Sequence, residues 1–207
     1  MRYPKFLAKS NTIGVCAPSF GSPIDPYYTR YIYGKKRFEE LGYKFIETPH
    51  ILCLENAESA PKEVRAQEFL SLWNDNNVDF IMSIAGGELM MEILPYINFD
   101  ELKNSENIKY FMGYSDNTNL SFLLATLCDI ASIYGNHIGA FSMEPLDISL
   151  VNAYNFITGN NLIQHPYELC EDPTIENPND DPRAPYFLTK EVEWKSLYHK
   201  QCLYAKK

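Results

Sequence analysis

The stretch "YFMGYSDNTNLSF" at residues 110–122 runs an apolar segment directly into a serine, an acid and a helical pattern. Tyr110 to Tyr114 has the length and composition of a buried strand. Leu120, Leu123, Leu124 and Leu127 then recur at i, i+3, i+4 and i+7, the stripe of an amphipathic helix. A strand feeding a helix is the repeating unit of a parallel sheet, and Ser115 stands at the junction. Two readings of that serine are open. It could be a nucleophile lifted above the sheet on a strained strand-to-helix turn. It could equally be an N-cap, a role serine favours, with Asp116 suiting the positive end of the helix dipole. The string Gly-Tyr-Ser-Asp lacks the glycine two residues after serine of the common esterase elbow, so spacing alone does not choose.

The same unit recurs along the chain. "TIGVCAPS" (12–19) is a short apolar run ended by proline, and Tyr27, Tyr31, Gly34, Phe38 and Leu41 follow at helical spacing with Gly42 as C-terminal cap. "KFIETPH" (44–50) reads as the next strand. Pro61 suits a first helical position, ahead of the stripe Ala66, Phe69, Leu70 and Trp73. "VDFIMSIA" (78–85) is a third strand, with "GGELMMEILPYI" turning into a short helix, and "ASIYGN" (131–136) a fifth after the one at 109–114. Apolar strands alternating with amphipathic helices imply an α/β fold, a mostly parallel sheet covered on both faces. Ligands of such folds gather at the carboxyl ends of the strands. The tips to watch are therefore Ala17–Ser19, Gly86–Glu88, Tyr114–Asn117 and Gly135–His137. From about Leu146 the pattern weakens. "EDPTIENPNDDPRAP" (171–185) has the proline and acid content of a surface loop or linker, and Tyr186–Val192 reads as one more strand.

Composition bounds the function classes. The chain of 207 residues is 45% hydrophobic with a net charge of −9, a packed globular composition without the Lys/Arg clusters that nucleic acid or anionic membrane would demand. The N-terminus "MRYPKFLAKS" has no apolar signal segment and no run approaches a membrane span, so a cytoplasmic setting is expected. Cysteines at 16, 53, 128, 170 and 202 form no Cys-x-x-Cys pair, which fits reduced thiols, with Cys16 and Cys128 in the core.

Beyond Ser115, Gly86-Gly87 follows the third strand and would let backbone N–H groups approach an oxyanion or a phosphate; a tight turn would use the same glycines. A third glycine is absent, which argues against a dinucleotide. His50, His137, His165 and His199 show no metal-ligand spacing, so no metal is expected. His137 alone sits at a strand tip near Ser115; it reads as a loop histidine with surface hydrogen bonds, with a general base as the sharper alternative. Glu88 and Asp116 could be proposed as a carboxylate pair, with nothing to fix their separation. Met90-Met91 reads as core.

Taken in order, "IGVCAPS", "VRAQEFL", "SIAGGELMMEILPYINFDEL", "FMGYSDNTNL" and "ASIYGNHIGAFSMEP" resemble the LD-carboxypeptidase family of serine peptidases, which includes the microcin-immunity peptidases. The resemblance covers about residues 10 to 160; the family ordinarily has a proline where Asn136 or His137 stands. It implies a flavodoxin-like or class I glutamine-amidotransferase-like nucleophile domain over residues 1–165, with 166–207 a linker and the remnant of a second domain that is largely missing. Ser115 takes the place of the family nucleophile, and the N–H of Asp116 with Gly86-Gly87 that of the oxyanion hole. The implied reaction is hydrolysis of a small peptide ending in a D-amino acid, as in murein, or of an amide-linked peptidyl nucleotide, with no metal or organic cofactor. The family's glutamate and histidine come from the downstream domain, which opens with a glycine-rich segment soon after a tryptophan like Trp194. Here "EVEWK" leads into "SLYHKQCLYAKK", and His199 lacks the family context. The expectation is a crippled peptidase with uncovered apolar surface that favours self-association. The competing expectation is a non-cleaving module that binds peptides or small molecules.

Overall fold

A five-stranded parallel sheet in the order β2-β1-β3-β4-β5 organises the computed structural model, which describes residues 1–193. The strands are β1 (Thr12–Cys16), β2 (Lys44–Glu47), β3 (Phe80–Ser83), β4 (Tyr110–Gly113) and β5 (Ile133–Tyr134). Helices α1 (Tyr27–Glu40), α2 (Lys62–Asn74), α3 (Phe99–Asn104) and α4 (Thr118–Thr126) fill the crossovers, and α5 (Ile148–Ile157) follows the sheet. A separate antiparallel pair, β6 (Leu169–Glu171) and β7 (Leu188–Glu191), closes the described chain.

The sheet is buried on both sides, so its strands are apolar at successive positions rather than alternate ones. On β1 and β3, Ile13, Val15, Phe80 and Met82 face a cluster with Tyr31 and Phe38 of α1 and Leu150 of α5. Cys16 and Ile81 face the other, with Ala66, Phe69 and Trp73 of α2 and Leu120 and Leu124 of α4. The two faces follow from handedness. β2 lies on one side of β1 and β3 on the other, so right-handed crossovers put α1 and α2 on opposite faces. The strand order reverses between β1 and β3, and a crevice opens there at the carboxyl ends.

Several details depart from the sequence expectation. The short helix expected after the glycine pair is present at Met90–Tyr96, but as a 3₁₀ segment containing Pro95, which has no N–H to give a longer ladder. Pro61 precedes α2 with extended ψ, one position ahead of the first helical residue. Leu127 lies beyond the end of α4 and is exposed. Helices α3 and α5 were not anticipated. Both carry side-chain caps: Asn98 accepts from Asp100 and Glu101 N–H, and Asp147 from Ser149 N–H.

Arg65 is the largest surprise in α2. Its side chain is fully buried, and it makes five hydrogen bonds: Nε–H to Ala60 O, Nη1 to Pro18 O and Leu89 O, Nη2 to Glu58 and Glu92 carboxylates, at 2.7–3.0 Å. The guanidinium thus fastens the loops after β1, β2 and β3 to one helix. Breaking a buried charge pair from one side typically costs about 3–5 kcal/mol, because the acceptors left behind are desolvated. Arg65→Met should therefore lower unfolding stability by about 3 kcal/mol, read as a lower urea midpoint at unchanged slope, with Arg65→Lys recovering only part of the loss.

Candidate functional site

β4 ends at Gly113, Tyr114 continues extended, and Ser115 turns into left-handed space at φ +63° before a single 3₁₀ turn (Ser115–Asn117) enters α4. For a serine that conformation costs on the order of 1–2 kcal/mol, so the surroundings must impose it. The Ser115 N–H points at Tyr134 Oη (3.4 Å), and its carbonyl accepts from Thr118 Oγ1 (2.6 Å). An N-cap serine would have extended backbone and a side chain accepting from the next turn. Ser115 has neither, and its Oγ makes no hydrogen bond among the described residues. The cap reading fails; the geometry is that of an exposed elbow.

Gly86 is what the elbow rests on. A Cβ there would stand 2.9 Å from Ser115 Cβ and 3.2 Å from its Oγ, so only glycine lets the two loops approach this closely. Gly87 has φ +153°, and a side chain on it would collide with Ser19 Oγ. Ser19, wholly buried, accepts the Leu89 N–H at 3.1 Å, while Phe20 N–H donates to Gly86 O at 3.2 Å. Asp116 Oδ2 accepts the Met90 N–H (3.2 Å), so this carboxylate secures the elbow to the 3₁₀ segment, and it does not line the cleft. That removes the proposed Glu88–Asp116 acid pair.

Asn117 holds the elbow from beneath. Its Nδ2 lies 3.0 Å from Ala85 O and from Tyr114 O and 3.3 Å from His137 Nε2, joining the tips of β3, β4 and β5. His137 is buried, not the surface histidine expected from its loop position; it stacks on Tyr114 at 4.1 Å between ring centroids. Its Nε2 also faces the Tyr114 N–H (3.4 Å). Burial lowers its pKa from 6.5 to about 4. The ring is neutral at physiological pH and its Nε2 is occupied by the scaffold, so it is a support of the turn and not a base directed at Ser115.

These tips surround a cleft of about 950 Å³, lined by Gly86, Gly87, Ser115 and His137 on the sheet side and by Tyr27 and Arg30 of α1 on another. A further wall is the acidic, proline-rich stretch, which reaches the cleft with Glu171, Asn177, Asp180, Asp181, Pro182 and Tyr186 among others. It is pinned to α1 and its neighbours: Arg30 Nε–H donates to Pro182 O (2.7 Å), Glu144 N–H to Arg183 O (2.9 Å), and the Arg183 guanidinium lies 4.3 Å from the Tyr33 ring centre. No group of three or more metal-ligating side chains occurs among the described residues. Among them, too, no helix is long and apolar enough to cross a membrane.

The family model for the LD-carboxypeptidase N-terminal domain matches residues 13–135, the span from β1 through β5 that carries Ser115 and both glycines. The chain belongs to the LD-carboxypeptidase family. Among its relatives, a candidate carboxypeptidase of Vibrio cholerae is 30% identical over 136 residues, covering 65% of this chain and 40% of that protein. The microcin C7 self-immunity protein MccF of Escherichia coli is 25% identical over 201 residues, covering 96% of this chain and 56% of MccF. The chain therefore spans about half the length of the curated relatives it matches, 40–56%. Of solved structures, MccF in complex with aspartyl sulfamoyl adenosine superposes with a TM-score of 0.77 at 23% identity, over 92% of this chain and 58% of that one, a likeness of fold. An MccF-like protein from Bacillus anthracis superposes with a TM-score of 0.61 at 29% identity, over 69% and 43%.

The four residues to which the resemblance gave site roles, Ser115, Asp116, Gly86 and Gly87, lie together just beyond the carboxyl ends of β3 and β4. Ser19 and Asn117 lie at strand tips marked in the sequence, but their supporting hydrogen bonds were not foreseen, and the wall from Glu171 to Tyr186 was read only as a surface loop or linker. Cys16 and Cys128 are buried as expected, while Trp194, His199 and Cys202 lie outside the described residues.

Gly86→Ala should cost about 1–3 kcal/mol of stability, the usual range for forced overpacking, read as a lowered melting temperature. His137 makes a pH prediction. Its folded pKa lies below the unfolded value, so its neutral form supports the fold above pH 6.5, and that support is lost as pH falls towards about 4. Replacing it by glutamine should flatten the rise of stability between those pH values by up to roughly 3 kcal/mol, measured by urea titrations at each pH against the parent chain.

Proposed function

We propose that this chain is the nucleophile domain of a serine-type LD-carboxypeptidase, acting on small peptides that end in a D-amino acid. The observation that carries the reading is the Ser115 elbow: a serine at φ +63°, its Oγ unbonded among the described residues, seated on Gly86 at the edge of the cleft. In this reading Ser115 Oγ attacks the scissile carbonyl and forms an acyl-enzyme, which water releases. The negative charge that develops on the carbonyl oxygen is taken by backbone donors, the Asp116 N–H and the Gly86-Gly87 segment. The tilt of the elbow favours this, because a left-handed serine presents its side chain and the following N–H to the same space.

A serine hydroxyl near neutral pH needs a base to accept its proton. His137 is engaged with Tyr114 and Asn117. In this reading the base is not His137 but comes from the downstream glutamate and histidine that the family resemblance implies. On the 207 residues alone, turnover should be crippled: preorganised donors and binding without the base retain on the order of 10³-fold over water.

The test is hydrolysis of L-Lys-D-Ala and diaminopimelyl-D-Ala peptides by the chain alone and by a chimera carrying the downstream half of a full-length relative. The chimera should turn over and the chain alone should lag far behind it. Ser115→Ala in the chimera should remove on the order of 10⁴-fold or more of kcat with unchanged folding. An alanine variant that keeps most of its activity would overturn the assignment.

A further inference from the structure

Two hydrogen-bond donors from different walls of the cleft bond to no protein acceptor among the described residues. Arg30 of α1 spends its Nε–H on Pro182 O, and its terminal nitrogens bond to nothing among the described residues. Tyr186, on the facing stretch, has a hydroxyl with no partner among them either. Burial, and then the nearby Asp147, raise the Tyr186 pKa, so the phenol keeps its proton and remains a donor. Arg30 pulls in the opposite direction, which places the guanidinium within electrostatic reach of that ring.

Charge around the cleft sharpens the point. Glu88, Glu171, Asp180 and Asp181 line it, and Arg30 is the one Lys or Arg that does so among the described residues. Glu171 is turned to the Phe187 N–H (3.1 Å) and Asp181 to the Arg183 N–H (2.7 Å), and no described carboxylate pairs with Arg30. An anionic group entering the cleft meets repulsion except beside Arg30. With Nε fixed by Pro182 O, the planar guanidinium is oriented and its terminal N–H groups are free to form a fork, the geometry that fits a carboxylate.

We propose that Arg30 and Tyr186 receive the free terminal carboxylate of the peptide, Arg30 through its terminal N–H groups and Tyr186 through its hydroxyl. The inference rests on the peptidase reading and names what would make the enzyme a carboxypeptidase: recognition of the chain end itself. It also accounts for the attachment of an otherwise irregular stretch to α1, since the Pro182 contact aims Arg30.

The experiment measures binding rather than turnover, so it can fail separately from the assignment of Ser115. Acetyl-L-Lys-D-Ala and its C-terminal amide are titrated into the 207-residue chain by NMR or calorimetry. The free acid should bind at least 10-fold more tightly than the amide. Arg30→Gln should weaken the acid by roughly 10- to 100-fold, the worth of charge-assisted hydrogen bonds, and leave the amide unchanged. Tyr186→Phe, which keeps the ring and its packing, should lose a smaller part of the preference, and Arg30→Lys should restore part of it. Equal binding of acid and amide by the parent chain would overturn the proposal. So would equal weakening of both by Arg30→Gln, or no binding of the free acid at millimolar peptide.

Discussion

A single buried cation holds the working end of this sheet together. Arg65 enters from α2, is shielded from water, and bonds at once to the backbone after β1, to the backbone before α2 and to the backbone after β3. Parallel sheets fix their strands by ladders of hydrogen bonds, but the loops at their carboxyl ends have no ladder. Here their carbonyls converge on one guanidinium, which can satisfy several acceptors in one plane as a lysine cannot. Two partly exposed carboxylates, Glu58 and Glu92, balance its charge at the rim. The positions of Ser19, Gly87 and Leu89, and through them the space beside Ser115, depend on that clamp.

The elbow itself is a case of strain held by sterics and polar contacts from several elements. Ser115 could relax toward ordinary backbone only if β4, the loop with Gly86, or Asn117 moved. Asn117 cannot move easily, because its side chain is buried against Gly113, where an added Cβ would stand 2.9 Å from its Cγ. Small residues at positions 86 and 113 and a bridging amide at 117 therefore act together. Backbone conformation at one serine is thus settled by two glycines and one asparagine amide.

How far the sequence revealed this depends on the range of the interaction. The sheet and three of its four crossover α-helices were readable because apolar runs and helical stripes are local, and Ser115 with its two glycines could be placed at strand tips from the same pattern. The family resemblance then ranked the elbow above the cap, and the left-handed φ rules out the cap. What escaped were contacts between distant segments. Nothing around Arg65 in "VRAQEFL" says that a charged residue lies inside, since its acceptors come from residues 18, 58, 60, 89 and 92. His137 was misjudged for the same reason: a loop position suggests water, whereas stacking on Tyr114 and the amide of Asn117 exclude it. Helix α5 had its cap at Asp147 and a short stripe, Leu150 and Ile157, too sparse to stand out.

The wall formed by Asn177 to Tyr186 lies beyond residues 13–135, the span the family model recognises. The domain thus divides its labour along the chain: a conformationally demanding centre built from packed strands, and a boundary built from prolines, asparagines and acids held by a few polar anchors. Lengthening an irregular segment costs little, about 0.6 kcal/mol for each doubling of a flexible loop, while altering Gly86 or Arg65 disturbs packing directly. Mutations can therefore accumulate in the boundary at small thermodynamic cost. A lineage built on this plan can change the shape of what it admits without reopening the problem of how its serine is held.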